Sequence, residues 1–232
     1  MNGAQLPLDL GHVTALAEDD FLPAPCNAEA LAWLERWPHW SGRVLAIHGP
    51  EGCGKTHLAH LFAARTGGVI LPAHRLAVDM APRLLEAAPT LALEDCDGGE
   101  LDEDALFHLI NLVREQRAFL LLSGRLAPAR WPVVLPDLRS RLNALPVASI
   151  GAPDDAVLAA VLVKQFADRQ IKVGEGVVSY LLGRMDRSFA ACARLVERLD
   201  KASLAEHRAV TVALVRKVLE REVEHGSGTG GP

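Results

Sequence analysis

Several things are scarce in this 232-residue sequence, and each scarcity excludes something. There are 4 cysteines, Cys26, Cys53, Cys96 and Cys192, with no C-x-x-C pair and no dense spacing. That excludes a disulfide-dense scaffold and reads as free thiols in a reducing compartment. Basic charge is in deficit, with 24 Lys and Arg against 29 Asp and Glu for a net −5, so nothing global directs the chain to DNA or an acidic membrane. Any nucleic-acid contact is then local. No apolar run approaches the ~20 residues that a membrane span needs. The start, Met1-Asn2-Gly3-Ala4-Gln5, lacks a basic region followed by an apolar core. A soluble cytoplasmic protein with no membrane partner is expected. Aromatics make up only 5%, and three of the tryptophans, Trp33, Trp37 and Trp40, are gathered in one stretch, where core packing is the expected role. The remaining composition is ordinary, 50% hydrophobic and 23% charged, in a chain long enough for one large domain or two small ones.

What is present is organised around Gly49-Pro50-Glu51-Gly52-Cys53-Gly54-Lys55-Thr56, which fits G-x-x-x-x-G-K-[ST] at every fixed position. The apolar run Val44-Leu45-Ala46-Ile47 precedes it and a helical pattern follows, which is the strand-loop-helix context of a phosphate-binding loop. In such a loop Gly49, Gly52, Cys53 and Gly54 turn backbone N–H groups toward phosphates, Lys55 supplies a point charge, and the Thr56 hydroxyl can ligate Mg²⁺. The helix beginning near Lys55 adds its positive N-terminal end.

Apolar runs at 43–47, 69–71, 90–94, 119–123 and 147–150 alternate with helical stretches at 55–66, 74–88, 103–117 and about 136–143. A further helix, Ala28 to Trp37, has Asn27 as its N-cap. Continuous apolar strands with intervening helices predict an α/β fold, a five-stranded parallel sheet covered on both faces, with the ligand at the carboxyl ends of the strands. The 90–94 run ends in Glu94-Asp95, so that one acid can sit near a metal and the other can orient a water. The 119–123 run ends in Ser123, either a partner for a γ-phosphate or attacking water, or an exposed loop serine. In Pro136-Asp137-Leu138-Arg139-Ser140-Arg141-Leu142 the two arginines diverge by roughly 200° on a helix and cannot serve one target. One of them either completes a neighbouring subunit's site as a finger or is a surface charge.

From Pro153 strands stop. Helical stretches at 154–170, 174–184, 187–205 and 211–223 predict an all-helical second domain, with stripes Val157, Val161, Leu162, Phe166 and Leu195, Leu199, Leu204. Arg187 opens the third helix, where it can fold back onto the β/γ-phosphates. The expected organisation is a peptide and linker over 1–17, a nucleotide-binding core over 18–152, a helical lid over 153–223 and a Gly-rich disordered tail over 224–232. The hexamer Gln5-Leu6-Pro7-Leu8-Asp9-Leu10 either packs back on the body or is kept for a partner's groove.

The ordered set of phosphate loop, acidic strand end, polar fourth-strand end, arginine before the fifth strand and arginine in a helical lid resembles an AAA+ module. More narrowly, the chain resembles the AAA+ portion of the bacterial replication initiator DnaA and its shortened regulatory relatives, the Hda family. Gly54-Lys55-Thr56-His57-Leu58 is typical of that clade, Asp137 to Leu142 matches its finger segment with Arg141 as the finger, and no DNA-binding helix-turn-helix follows the lid. Gln5-Leu6-Pro7-Leu8-Asp9-Leu10 resembles the Q-L-x-L-x-L peptide with which that family docks on the sliding clamp (β subunit) of DNA polymerase.

The resemblance implies a regulator bound to ADP or ATP with Mg²⁺ through Lys55, Thr56 and Arg187. Docked on the clamp, and on DNA only through it, the regulator would present Arg141 to ATP on DnaA and so block re-initiation. A finger acting in trans needs a neighbour, either the initiator or a second copy of this chain. Glu94-Asp95 reverses the usual Asp-then-Glu order, and a carboxylate moved by about an ångström misplaces a water, which implies at most weak intrinsic turnover. The alternative class is a self-sufficient P-loop ATPase such as a helicase loader or a clamp-loader-like subunit.

Overall fold

The computed structural model describes residues 22–226; Gln5, Leu6, Leu8 and Leu10 of the N-terminal hexamer lie outside the described residues. The five apolar runs form strands β1 (Val44–His48), β2 (Val69–Pro72), β3 (Thr90–Glu94), β4 (Phe119–Gly124) and β5 (Val147–Ser149). All pair in parallel in the order β2-β3-β4-β1-β5. The strands are apolar except near their ends because both faces are covered, and alternate residues serve opposite cores. Val44, Ala46, Leu91, Leu93, Leu120 and Leu122 face one cluster. Leu45, Ile47, Ala92, Leu121 and Ala148 face the other.

The helices of this α/β unit are α1 (Ala28–Glu35), α2 (Lys55–Thr66), α3 (Ala81–Ala87), α4 (Glu103–Glu115) and α5 (Pro136–Asn143). On the face carrying α1 and α2, Trp40 stacks on Phe62 with ring centroids 5.1 Å apart, and Trp37 meets Phe119 edge-on at 5.8 Å. The tryptophans therefore pack the core, as expected. The β1/β4 register, Ile47 opposite Ser123 and His48 opposite Gly124, brings the start of the phosphate loop beside the end of β4.

Two helix expectations fail for reasons of proline. The 74–88 stretch is two 3₁₀ turns, Ala73–Arg75 and Val78–Met80, followed by the short α3. Pro82 takes a first-turn position there, where its missing N–H is not needed, instead of interrupting a longer helix. Helix α1 stops at Glu35 because Pro38 follows closely and disfavours helical geometry before it. Asn27 occupies the N-cap position but makes no capping bond. Its side chain is fully buried, accepting from the Ala24 N–H (2.9 Å) and donating to the Leu22 carbonyl (3.0 Å), so it ties down the segment leading into α1.

The remaining helices are α6 (Asp155–Asp168), α7 (Glu175–Leu182), α8 (Phe189–Glu206) and α9 (Val212–Gly226). They enclose their own core, in which Leu158, Leu162, Phe166, Leu181, Val196, Leu199 and Val215 are completely buried. Asp154 and Ser188 cap α6 and α8 by accepting from the N–H groups of Val157 (2.8 Å) and Ala191 (3.1 Å). Leu204, expected on the buried stripe with Leu195 and Leu199, is 68% exposed, because five residues beyond Leu199 the helix has turned about 140° past that face. Helix α9 continues to Gly226, so residues 224–226 are helical where a tail was expected.

Asn27 is the buried polar hinge of the entry segment, and Asn27→Ala leaves an amide N–H and a carbonyl without partners. The loss is expected to be about 1–3 kcal/mol, a fall of about 2–4 °C in Tm per kcal/mol for a chain of this size. Thermal melting followed by circular dichroism checks it; an unchanged Tm contradicts this role.

Candidate functional site

A cleft of about 760 Å³ opens where the carboxyl ends of β1 and β3 face the helical domain. Gly52, Gly54, Lys55, Thr56 and Asp95 line it from the α/β side, and Val161, Gln165, Phe189 and Ala190 from α6 and α8. Three motif glycines have separate reasons to be glycine. Gly52 (φ 71°) and Gly54 (φ 102°) adopt left-handed backbone. A Cβ on Gly49 would lie 2.3 Å from the Ile150 carbonyl oxygen, and one on Gly52 would lie 2.8 Å from Cβ of Ser188. The loop is thus wedged between the end of β5 and the start of α8, and the Phe189 N–H donates directly to the Gly52 carbonyl (2.9 Å).

The Lys55 ammonium is buried and donates to the Gly49 (2.8 Å) and Pro50 (3.0 Å) carbonyls of its own loop. Those are exchangeable partners for a cation that a phosphate would recruit. Cys53 is buried beneath the loop, so only its backbone is available to a ligand. Burial pushes all four free thiols up, Cys192 to about 12, which leaves them poor nucleophiles.

Glu94 at the end of β3 is half-buried. Burial raises its carboxyl above the usual range, a hydrogen bond from the Thr56 hydroxyl opposes that, and neighbouring Asp95 adds to it. Its Oε1 is buried without a hydrogen-bond partner among the described residues. A carboxylate with one orphaned oxygen, already in contact with the hydroxyl that follows the phosphate-loop lysine, fits Mg²⁺. That ion is usually held by one or two carboxylates together with substrate phosphates. Among the described residues no group of three or more His, Cys, Asp or Glu forms a self-contained metal cage.

Asp95 is exposed to the cleft in a left-handed conformation (φ 57°), which Asp tolerates better than most residues. Ser123 explains that geometry. It is neither an exposed loop serine nor a lining residue of the cleft; it is 1% exposed, its hydroxyl accepts from the Asp95 N–H (3.4 Å) and its carbonyl from the Cys96 N–H (2.8 Å). It stitches the ends of β3 and β4 together and aims Asp95.

Neither predicted arginine lines the cleft. Arg187 makes a two-pronged ion pair with Asp155 at the start of α6 (2.9 and 3.1 Å). Arg141 lies on α5 with its guanidinium 5.1 Å above the Phe107 ring of α4, while Arg139 donates to the Val133 carbonyl. The two arginines of that helix do serve different targets.

Sequence reading overlooked Asp97, whose carboxylate accepts from the N–H groups of Arg125 (2.8 Å) and Leu126 (2.9 Å) and shapes the loop after β4. It also overlooked Arg125, which pairs with Glu51 (3.5 Å) at the cleft. Only the strand pairing brings these positions together. The Gly98-Gly99 pair after Asp97 was the one local sign of a shaped turn.

Residues 154–219 match the family model described as Hda, lid domain. Among solved structures, the chain is similar to domain III of the replication initiation protein DnaA from Thermotoga maritima, at 17% identity and a TM-score of 0.73, covering 88% of this chain and 95% of that one. AMPPCP-bound DnaA from Aquifex aeolicus matches at 17% identity and a TM-score of 0.62, covering 77% and 63%. The RuvB Holliday junction branch migration motor of Thermotoga maritima matches at 18% identity and a TM-score of 0.62, covering 84% and 66%. The fold is accordingly that of an AAA+ P-loop core followed by a helical lid. No helix among the described residues is long and apolar enough to cross a membrane.

Because the folded state holds the Glu94 carboxyl above its ordinary value of 4.5, ionising it opposes folding. Its contribution to stability is fully present below that value and is lost as pH rises through the folded pKa. Glu94→Gln is therefore expected to raise the Tm of nucleotide-free protein at pH 7 and to leave it nearly unchanged at pH 4, while weakening the Mg²⁺ dependence of nucleotide binding. Melts at the two pH values, with and without Mg²⁺ and ADP, check both parts; a lower Tm at pH 7 contradicts the account.

Proposed function

We propose that this chain, Hda-like in its lid and a DnaA-related AAA+ protein in its fold, is a nucleotide-bound regulator that acts on the replication initiator DnaA. ADP or ATP occupies the cleft, with its phosphates on the Gly49 to Thr56 loop and Lys55. Thr56 and Glu94 would hold Mg²⁺, which when bound would neutralise charge on the phosphate oxygens. Gln5, Leu6, Leu8 and Leu10 dock on the DNA polymerase sliding clamp, which brings the chain to DNA. Arg141 is then presented to ATP held by DnaA, stabilises charge in its transition state and leaves the initiator in the ADP form, which restrains re-initiation.

The observation that carries this reading is the separation of Arg141 from the cleft. Its guanidinium stacks on Phe107 of α4, whereas the cleft is lined by the phosphate loop, the end of β3 and the lid. An arginine that does not line its own chain's cleft is available to a nucleotide on a neighbour. The Glu94-Asp95 order agrees with low intrinsic turnover, since a displaced carboxylate misplaces a water, and Arg187 is engaged by Asp155 and does not line the cleft.

A self-sufficient P-loop ATPase is the second reading, and the exposure of Asp95 to the cleft beside Thr56 favours it. ATP hydrolysis measured with each protein alone, and with DnaA, clamp and DNA together, separates the two. Expected are slow turnover by this chain alone and strong stimulation of DnaA. Arg141→Ala is expected to lose that stimulation by about 10³-fold or more, as for other trans-acting fingers, with nucleotide binding retained. Gln5→Ala with Leu8→Ala is expected to abolish clamp binding in gel filtration and spare nucleotide binding. Fast hydrolysis by the chain alone, with no effect on DnaA, makes the ATPase reading correct instead.

A further inference from the structure

We infer that Gln165, on lid helix α6, is the residue that selects adenine in the cleft, by accepting a hydrogen bond from the amino group at position 6 of the purine. This rests on the cleft being the nucleotide site proposed above. Lys55 and Thr56 define the phosphate end. The lid contributes Val161, Phe189 and Ala190, and the entry segment contributes Leu22; together they make an apolar slot suited to a flat base.

The polar groups around that slot are mostly committed. Asn27 spends its carbonyl on the Ala24 N–H and its amine on the Leu22 carbonyl. Lys164 pairs with Asp168 (3.0 Å), and Arg169 donates to the Gln165 backbone carbonyl (3.0 Å). The Gln165 side chain differs: it lines the cleft, and its Oε1 is buried with no hydrogen-bond partner among the described residues. A buried carbonyl oxygen without a donor carries an uncompensated desolvation penalty. The ligand that relieves it must bring an N–H at the edge of a flat apolar body. Adenine does so through its exocyclic amine, and a carboxamide can add a second bond by donating Nε2–H to a ring nitrogen. A 6-oxo purine presents an acceptor at that point, which the buried Oε1 cannot meet; the carboxamide must turn over to donate to it, giving up the placement in which Oε1 is the buried atom.

Isothermal titration of the full chain with ADP and with inosine diphosphate, which differ at position 6, tests this. Wild type is expected to bind ADP about tenfold tighter than inosine diphosphate, the discrimination of one buried hydrogen bond. Gln165→Met, of similar length without the amide, should weaken ADP to the inosine diphosphate level and leave the latter unchanged. Gln165→Glu retains an acceptor oxygen and should retain the preference. Melting curves on both variants confirm folding, and Lys55→Ala serves as the control on the phosphate end. If wild type binds ADP, Lys55→Ala weakens it and folded Gln165→Met keeps the full preference, the role of Gln165 is overturned and the nucleotide site stands. A wild-type preference for inosine diphosphate overturns it equally. If wild type binds neither diphosphate, the site and the role of Gln165 fall together.

Discussion

The structure depends on one contact, the seating of helix α8 on the phosphate loop. Gly52 adopts a left-handed turn, its carbonyl accepts from the Phe189 N–H, and its missing Cβ leaves room for Ser188. Ser188 in turn caps α8. A single glycine therefore serves the loop that faces a ligand and the domain that closes over it. Any ligand that reshapes the loop must shift the lid, because packed interfaces have discrete arrangements and do not deform continuously.

A second tier of contacts fixes the α/β side. Ser123 and Asp97 act across the β3/β4 pair, the first anchoring the Asp95 backbone and the second collecting the N–H groups of the loop after β4. Neither touches the cleft as a ligand would. Both place residues that do, Asp95 and Arg125, by hydrogen bonds that close between strands that are neighbours in space but distant in sequence. Charge is held in the same manner. Lys55 is folded onto its own loop, Arg125 onto Glu51 and Lys164 onto Asp168, so these cations of the cleft rest on protein oxygens.

How much was legible depends on the range of the cause. The five strands and helices α2 and α5 followed from apolar runs and local patterning, and they lie within a residue or two of expectation. Misreadings occurred where a local signal had two uses. Pro82 opens a helix that pattern alone extended backwards, Asn27 spends its amide on the chain before it, and Leu204 belongs to a stripe only until the helix turns away. Within the site, the glycine-rich loop was legible because its chemistry is written in consecutive residues. The buried role of Ser123, the loop-shaping role of Asp97 and the orphaned oxygen of Gln165 were not, since each is defined by a partner, or by the absence of one, far away in the chain.

The sequence by itself determined the alternating α/β core, the helical lid and the phosphate loop, because strand burial, helix periodicity and loop flexibility are properties of short stretches. Only the tertiary structure decided why Gly49 and Gly52 must be glycine, where Arg141 and Arg187 rest, and which lid residues share the cleft with the phosphate loop. Those are matters of contact between segments, and contact is set by packing two cores of the sheet and one of the lid against each other.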